Sequence, residues 1–371
     1  MSFFLDPSNI ISIKPSKKNS EISRKHYFNK IISSLAYLKN VAGKIVEFKD
    51  FSLESLLYKS NDGTSLNPEI FYLHDKLLLS MRNQDLVSTK SNLDKVCSVL
   101  NNDENNDENN EVIIKSFSYS EWESFIAEES IKTLKGATGR NVLIEPVSNS
   151  QLLKEIESIK KSIFLIEEVF PEMMDEINNL LSNIRVFSGK RAMGITDVRM
   201  FGCMYIRVPR EGVDPVLYYC EHLVHEVSHM YLNSAMSMDP ILLNDASQTY
   251  SSPIRPDPRP MLGVFHATFV TSRIVQLFHK MAEKYREEDI LLYLHQQFEE
   301  LILGINEVEK FAILTDSGIN LKKEIFSLLD EVKKSPYWGS YDFNLKRKHR
   351  FGGGAEFTPK TSINSGSISG F

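Results

Sequence analysis

His225 and His229 stand four residues apart in the string His225-Glu226-Val227-Ser228-His229. Side chains at that spacing share one face of a helix, so two imidazoles can close on a single metal ion. Glu226 follows the first histidine by one position, about 100° further round the helix axis. It is thereby kept from binding the same ion in the same way, and is left as a base acting on metal-bound water or as a group that supports the ligands. Leu217, Cys220, Leu223, Val224, Val227 and Leu232 make the surrounding segment apolar around most of its circumference. A helix so enclosed does not carry His222, His225, Glu226 and His229 without partners for them. His222, one turn ahead of His225, reads as packing or as a supporting group rather than a ligand.

Two histidines need a third protein ligand. The extended zinc-protease pattern would place glycine and histidine where Leu232 and Ala235 stand, which excludes that class. The strongest candidate is His266, in Gly263-Val264-Phe265-His266, while Glu283 and Glu299 are the carboxylate alternatives on later helices.

These residues must be held by the elements around them. Asp214-Pro215 is a cap residue followed by proline at the first helical position, and predicts a helix to about residue 236. The stretch 251–260 contains four prolines, which forbid regular helix and keep the backbone stiff and extended. Helical spacing resumes at Met261 through Phe269, Ile274, Leu277 and Phe278, and again over 286–334. Upstream, residues 20–41, the stretch after Asn67-Pro68 and 149–183 are helical by pattern, the last with a break at Pro171. Ser120 with Glu123 forms a capping box ahead of Trp122, Phe125 and Ile126. Strands are expected at Val112–Ile114, Val142–Ile144, Ile184–Phe187 and Met200–Val208, the last two as a hairpin or sheet edge beside the metal-binding helix. The expected fold class is mainly α with a small β component (α+β). The expected organisation is a helical N-terminal region (1–100), an acidic low-complexity linker (101–111), a metal-binding catalytic domain (112–345) and a flexible tail (346–371).

The 371 residues, 42% hydrophobic, allow a large core, and a net charge of −6 gives no general attraction to nucleic acid or anionic lipid. Cys97, Cys203 and Cys220 form no C-x-x-C pair, which argues against a disulfide framework and a zinc knuckle and points to a reducing cytoplasm. The opening residues lack a basic leader, and no run of about 18 uninterrupted apolar residues spans a bilayer. Oligomeric state is not legible.

The combination of His225-Glu226-Val227-Ser228-His229 with Ser252-Pro253-Ile254-Arg255-Pro256-Asp257-Pro258-Arg259-Pro260 and Gly263-Val264-Phe265-His266 resembles the HExxH-type peptide β-hydroxylases. These are 2-oxoglutarate-dependent iron enzymes of ribosomal peptide natural-product biosynthesis. The likeness covers about 60 residues, roughly 214–273, with Ile254 where that family's pattern has tryptophan. It implies Fe(II) held by His225, His229 and His266, with 2-oxoglutarate chelating the metal, O2 as the oxidant and a precursor peptide as substrate. It also implies an arginine on the far carboxylate of 2-oxoglutarate, Arg259 first and Arg255 second, both on the proline-fixed segment. Three neutral imidazoles leave the ion doubly charged, which suits a dianionic chelator. Asp245 and Asp257 are at hand should the third ligand be a carboxylate, as in the usual facial triad. The rival reading is a zinc-dependent HExxH metallopeptidase with Glu226 acting on zinc-bound water.

Overall fold

The computed structural model describes residues 6–103, 112–139, 141–252 and 258–338. Arg255, Asp257, most of the acidic repeat and the whole 346–371 tail fall outside the described residues. Within them the chain is mainly α with a small β component, 66% helical and 9% strand.

The N-terminal part is helical, with α1 (Lys17–Ala42), α2 (Glu54–Asp62), α3 (Pro68–Arg82) and α4 (Leu86–Asp103). Next come β1 (Ile113–Ser116), α5 (Glu121–Thr138), β2 (Leu143–Pro146), α6 (Asn149–Val169) and α7 (Pro171–Leu180), the break between the last two falling at Pro171 as its missing N–H requires. Strands β3 (Asn183–Lys190), β4 (Gly194–Ile195) and β5 (Cys203–Arg207) lead into α8 (Pro215–Met236). A short ribbon, β6 (Thr249–Tyr250) with β7 (Arg259–Pro260), precedes α9 (Met261–Lys284), α10 (Glu288–Phe311) and α11 (Asp316–Lys334).

The expected hairpin of the third and last strands is not formed. β3 and β5 pair in parallel, with Asn183 opposite Cys203 and Phe187 opposite Arg207, and β4 turns back antiparallel on β5. The other edge of β3 is shared, β1 running parallel along Asn183–Val186 and β2 antiparallel along Phe187–Lys190. β5 is therefore a central strand with all five residues buried, which removes the alternation of faces seen in a half-exposed strand. The strand expected from Met200 starts only at Cys203, because Val198–Met200 is a 3-10 turn and Gly202 takes a φ of +87°, open to glycine but strained for other residues.

α8 is the axis of the molecule. Asp214 caps it by accepting a hydrogen bond from Leu217 N at 2.8 Å, and Tyr218 ties its first turn to the sheet by donating to the Arg207 carbonyl at 2.9 Å. It is buried on nearly every side, against α1, α6, α7 and α9, so its apolar side chains each contribute about 1.5–3 kcal/mol of burial. Its polar residues have found partners: Tyr219 donates to Glu155 of α6 at 2.6 Å, and Gln297 of α10 donates to Glu221 at 2.8 Å. Behind it Arg273 of α9, fully buried, pairs with Glu176 of α7, donates to the Ser12 carbonyl at 3.2 Å and lies over the rings of Tyr231 and Phe269. α9 is long and apolar enough to cross a membrane by length and composition, but 78% of that window is buried inside the protein. One apolar cluster runs from Ile11 to Tyr337.

Candidate metal centre

The geometry of α8 delivers the first two donors as its spacing requires. His225 Nε2 and His229 Nε2 lie 3.2 Å apart. Two imidazole nitrogens at that separation, each about 2.05 Å from a common ion, subtend an angle near 100°, within the range of tetrahedral and octahedral sites. α9 crosses beside α8 and brings His266 against the second ring: the planes of His229 and His266 are 21° apart with centroids at 5.7 Å, and their Nδ1 atoms are separated by 3.4 Å. His229 is thus the middle of a row, its Nε2 turned to His225 and its Nδ1 to His266. The outer nitrogen of His266 faces the sulfur of Met236, the last residue of α8, at 3.3 Å. All three residues are half-buried.

Among the described residues, no three histidine, cysteine, aspartate or glutamate side chains already close on one point. The donor chemistry nevertheless fits a metal. His225 and His229 converge through Nε2, while His266 stacks on His229 at its Nδ1; to serve as a third donor His266 would have to turn about its side-chain bonds toward the Nε2 side. Burial pushes the His266 ring down to about 4, which keeps it in the neutral form that ligation needs.

The carboxylate alternatives lie elsewhere. Glu283 is 17 residues beyond His266 on the same helix, about 25 Å along its axis, and faces His279. Glu299 faces His295, and Asp245 caps the exposed turn at Ser247. Arg259 is on β7, half-buried, with its aliphatic stem 3.5 Å from where a Cβ of Gly263 would sit, one turn before His266.

Glu226 turns to the sheet edge. It is 2% exposed, accepts a hydrogen bond from the Thr196 hydroxyl at 2.8 Å and packs on Gly194 of β4, where an added Cβ would stand 2.0 Å from its Oε1. Nothing local marks Gly194 or Thr196 in the sequence. Their role comes from a contact across 30 residues. His222 is fully buried, stacks on Tyr218 at 4.0 Å and donates from Nδ1 to the Tyr218 carbonyl at 2.9 Å, so it packs along the same helical stripe as His225 and His229.

Burial pushes the Glu226 carboxyl up to about 8, against a smaller downward pull from the Thr196 hydroxyl. The folded metal-free protein therefore keeps a proton that the unfolded chain releases above its ordinary carboxyl value of 4.5. The stability this contributes is fully present below that value, is lost as pH rises toward 8 and changes no further above it, on the order of 5 kcal/mol in all. Glu226→Gln is expected to relieve the loss. In the presence of a chelator, the melting temperature of the variant should gain on wild type steadily between pH 5 and 8, and parallel curves would contradict the assignment.

Compared with models of known protein families and with curated proteins, the chain matches none.

Proposed function

We propose that the chain is an Fe(II)- and 2-oxoglutarate-dependent oxygenase that hydroxylates a side-chain β-carbon of a ribosomally made precursor peptide in the cytoplasm. The observation that carries this reading is the row of three imidazoles, with His229 between His225 and His266 at 3.2 and 3.4 Å. His225, His229 and a rotated His266 would hold the metal, leaving positions for a chelating dianion and O2. Bound Fe(II) would supply the oxidising chemistry, one O2 being consumed as 2-oxoglutarate leaves as succinate and CO2 and the peptide carbon gains hydroxyl.

The chain's own part is to bind and to orient. Arg259, laid across Gly263, offers a planar guanidinium to the far carboxylate of the cosubstrate. Arg255, the second choice for that role, is outside the described residues. Glu226 holds Thr196 and the β4 edge against α8, and so fixes the turn that carries both His225 and His229.

The test is a succinate assay with anaerobically iron-loaded protein. Succinate formation that requires Fe(II) and O2 supports the reading. Zinc in the purified protein, peptide cleavage without succinate and complete loss of turnover in Glu226→Gln would establish the zinc peptidase instead. Arg259→Ala is expected to weaken 2-oxoglutarate binding by about 10- to 100-fold, the loss of one bidentate charge-assisted contact, with Fe(II) affinity unchanged. Unaltered cosubstrate binding by calorimetry would remove Arg259 from that role.

A further inference from the structure

The large sheet ends at β4, the strand that lies beside α8. Its register on β5 fixes which backbone groups are used. Arg207 N donates to the Met193 carbonyl at 2.8 Å and Ile195 is opposite Tyr205, so Gly194, opposite Ile206, sits between two sets of ladder bonds. In an antiparallel ladder the N–H and C=O of a residue so placed point away from the partner strand. Those of Gly194 are therefore turned to the outer edge, and they have no hydrogen-bond partner among the described residues. The backbone N–H and C=O of Thr196, two residues on, have none there either. Both residues are half-buried rather than enclosed.

An unpaired edge is a template for another extended chain. Proteins commonly blunt such edges with proline or lysine, and residues 193–196 include neither. What singles this edge out is its place. Gly194 and Thr196 are also the residues that meet Glu226, the first where an added Cβ would stand 2.0 Å from Oε1, the second through its hydroxyl at 2.8 Å. Glu226 in turn adjoins His225 in the sequence. The far edge of the sheet, formed by β1 and β2, is separated from β4 by β3 and β5.

Residues directly opposite one another on neighbouring strands carry their side chains on the same face of the sheet. At Gly194 that face is the one Glu226 occupies, since the direction a Cβ would take leads to its carboxyl. A peptide laid along β4, about 4.8 Å away, thus turns the β-carbon of the residue opposite Gly194, and of every second residue, to the side on which α8 carries His225 and His229. The residues between face the other way.

We propose that the outer edge of β4 is the strand on which the substrate docks: an extended peptide segment pairs with the backbone of Gly194 and Thr196 and presents alternate β-carbons to the metal side. This rests on the reading above in taking the occupant to be a peptide, and is independent of the reaction that follows.

The probe is a short peptide obtained by display selection on the full chain, then resynthesised with one backbone N-methyl group at each position in turn. Calorimetry should show affinity falling about 10-fold at alternate positions of the paired stretch and little change between them, the two-residue period of a strand. Thr196→Pro, which removes an edge N–H, should weaken the unmodified peptide by a similar factor. The N-methyl series leaves the protein unaltered, and so is independent of how the proline variant folds. A selection that yields no peptide sensitive to Thr196→Pro overturns the proposal, as do N-methyl losses without that period. So does an edge already filled by a second copy of the chain, seen in sedimentation as a dimer that Thr196→Pro dissociates. A protein that binds the peptide in this way and makes no succinate refutes the oxygenase and leaves the docking edge standing.

Discussion

His229→Ala is expected to lower succinate formation by about 10³-fold or more and to abolish tight Fe(II) retention, a larger loss than His266→Ala. The reason is its place in the row. His225 and His266 each face one other ring, whereas His229 faces both. Its removal leaves two donors on different helices with nothing between them, and a site reduced to one imidazole from each helix has lost the chelate that the i, i+4 spacing provides. Because His229 is partly exposed, its truncation costs little in packing, and the melting temperature of the metal-free protein should stay close to wild type. Turnover within tenfold of wild type would show that His229 is not a ligand.

Gly194→Ala carries the second largest effect. The new methyl group would stand 2.0 Å from Oε1 of Glu226, whose carboxyl is 2% exposed and would have to shift. Overpacking of this kind costs about 1–3 kcal/mol. It should also break the 2.8 Å bond from Thr196 and swing Glu226 against the turn that bears His225. A displacement of about 1 Å near reacting groups is worth roughly 100-fold in rate. The expected outcome is a lowered melting temperature and a 100-fold loss of turnover with Fe(II) still bound. Full activity in a folded Gly194→Ala protein would mean that the Glu226 carboxyl can move without consequence.

The helix that carries the site was legible because its signals are local. Asp214-Pro215 gives its start, Met236 its end, and the four-residue interval its shared face. The break at Pro171 and the return to helix at Met261 were legible for the same reason. What the sequence concealed is non-local. The parallel pairing of β3 with β5 depends on a chain reversal through β4, and double-sided burial of β5 erased the pattern that suggested a half-exposed hairpin. Glycine at 194 has no side chain to advertise its contact with Glu226. Glu283, a carboxylate of the right type for a metal ligand, faces His279 instead, and helix length alone separates it from His266. Sequence order placed His266 close to the clamp, but only the crossing of α8 and α9 shows which ring it meets.

The central claim is that three imidazoles hold one ion. It is tested most directly by iron K-edge X-ray absorption on the anaerobic Fe(II)-loaded protein. The account predicts three imidazole rings around the iron at about 2.1 Å. Two imidazoles with a sulfur scatterer from Met236, or with carboxylate oxygen in place of His266, would contradict it.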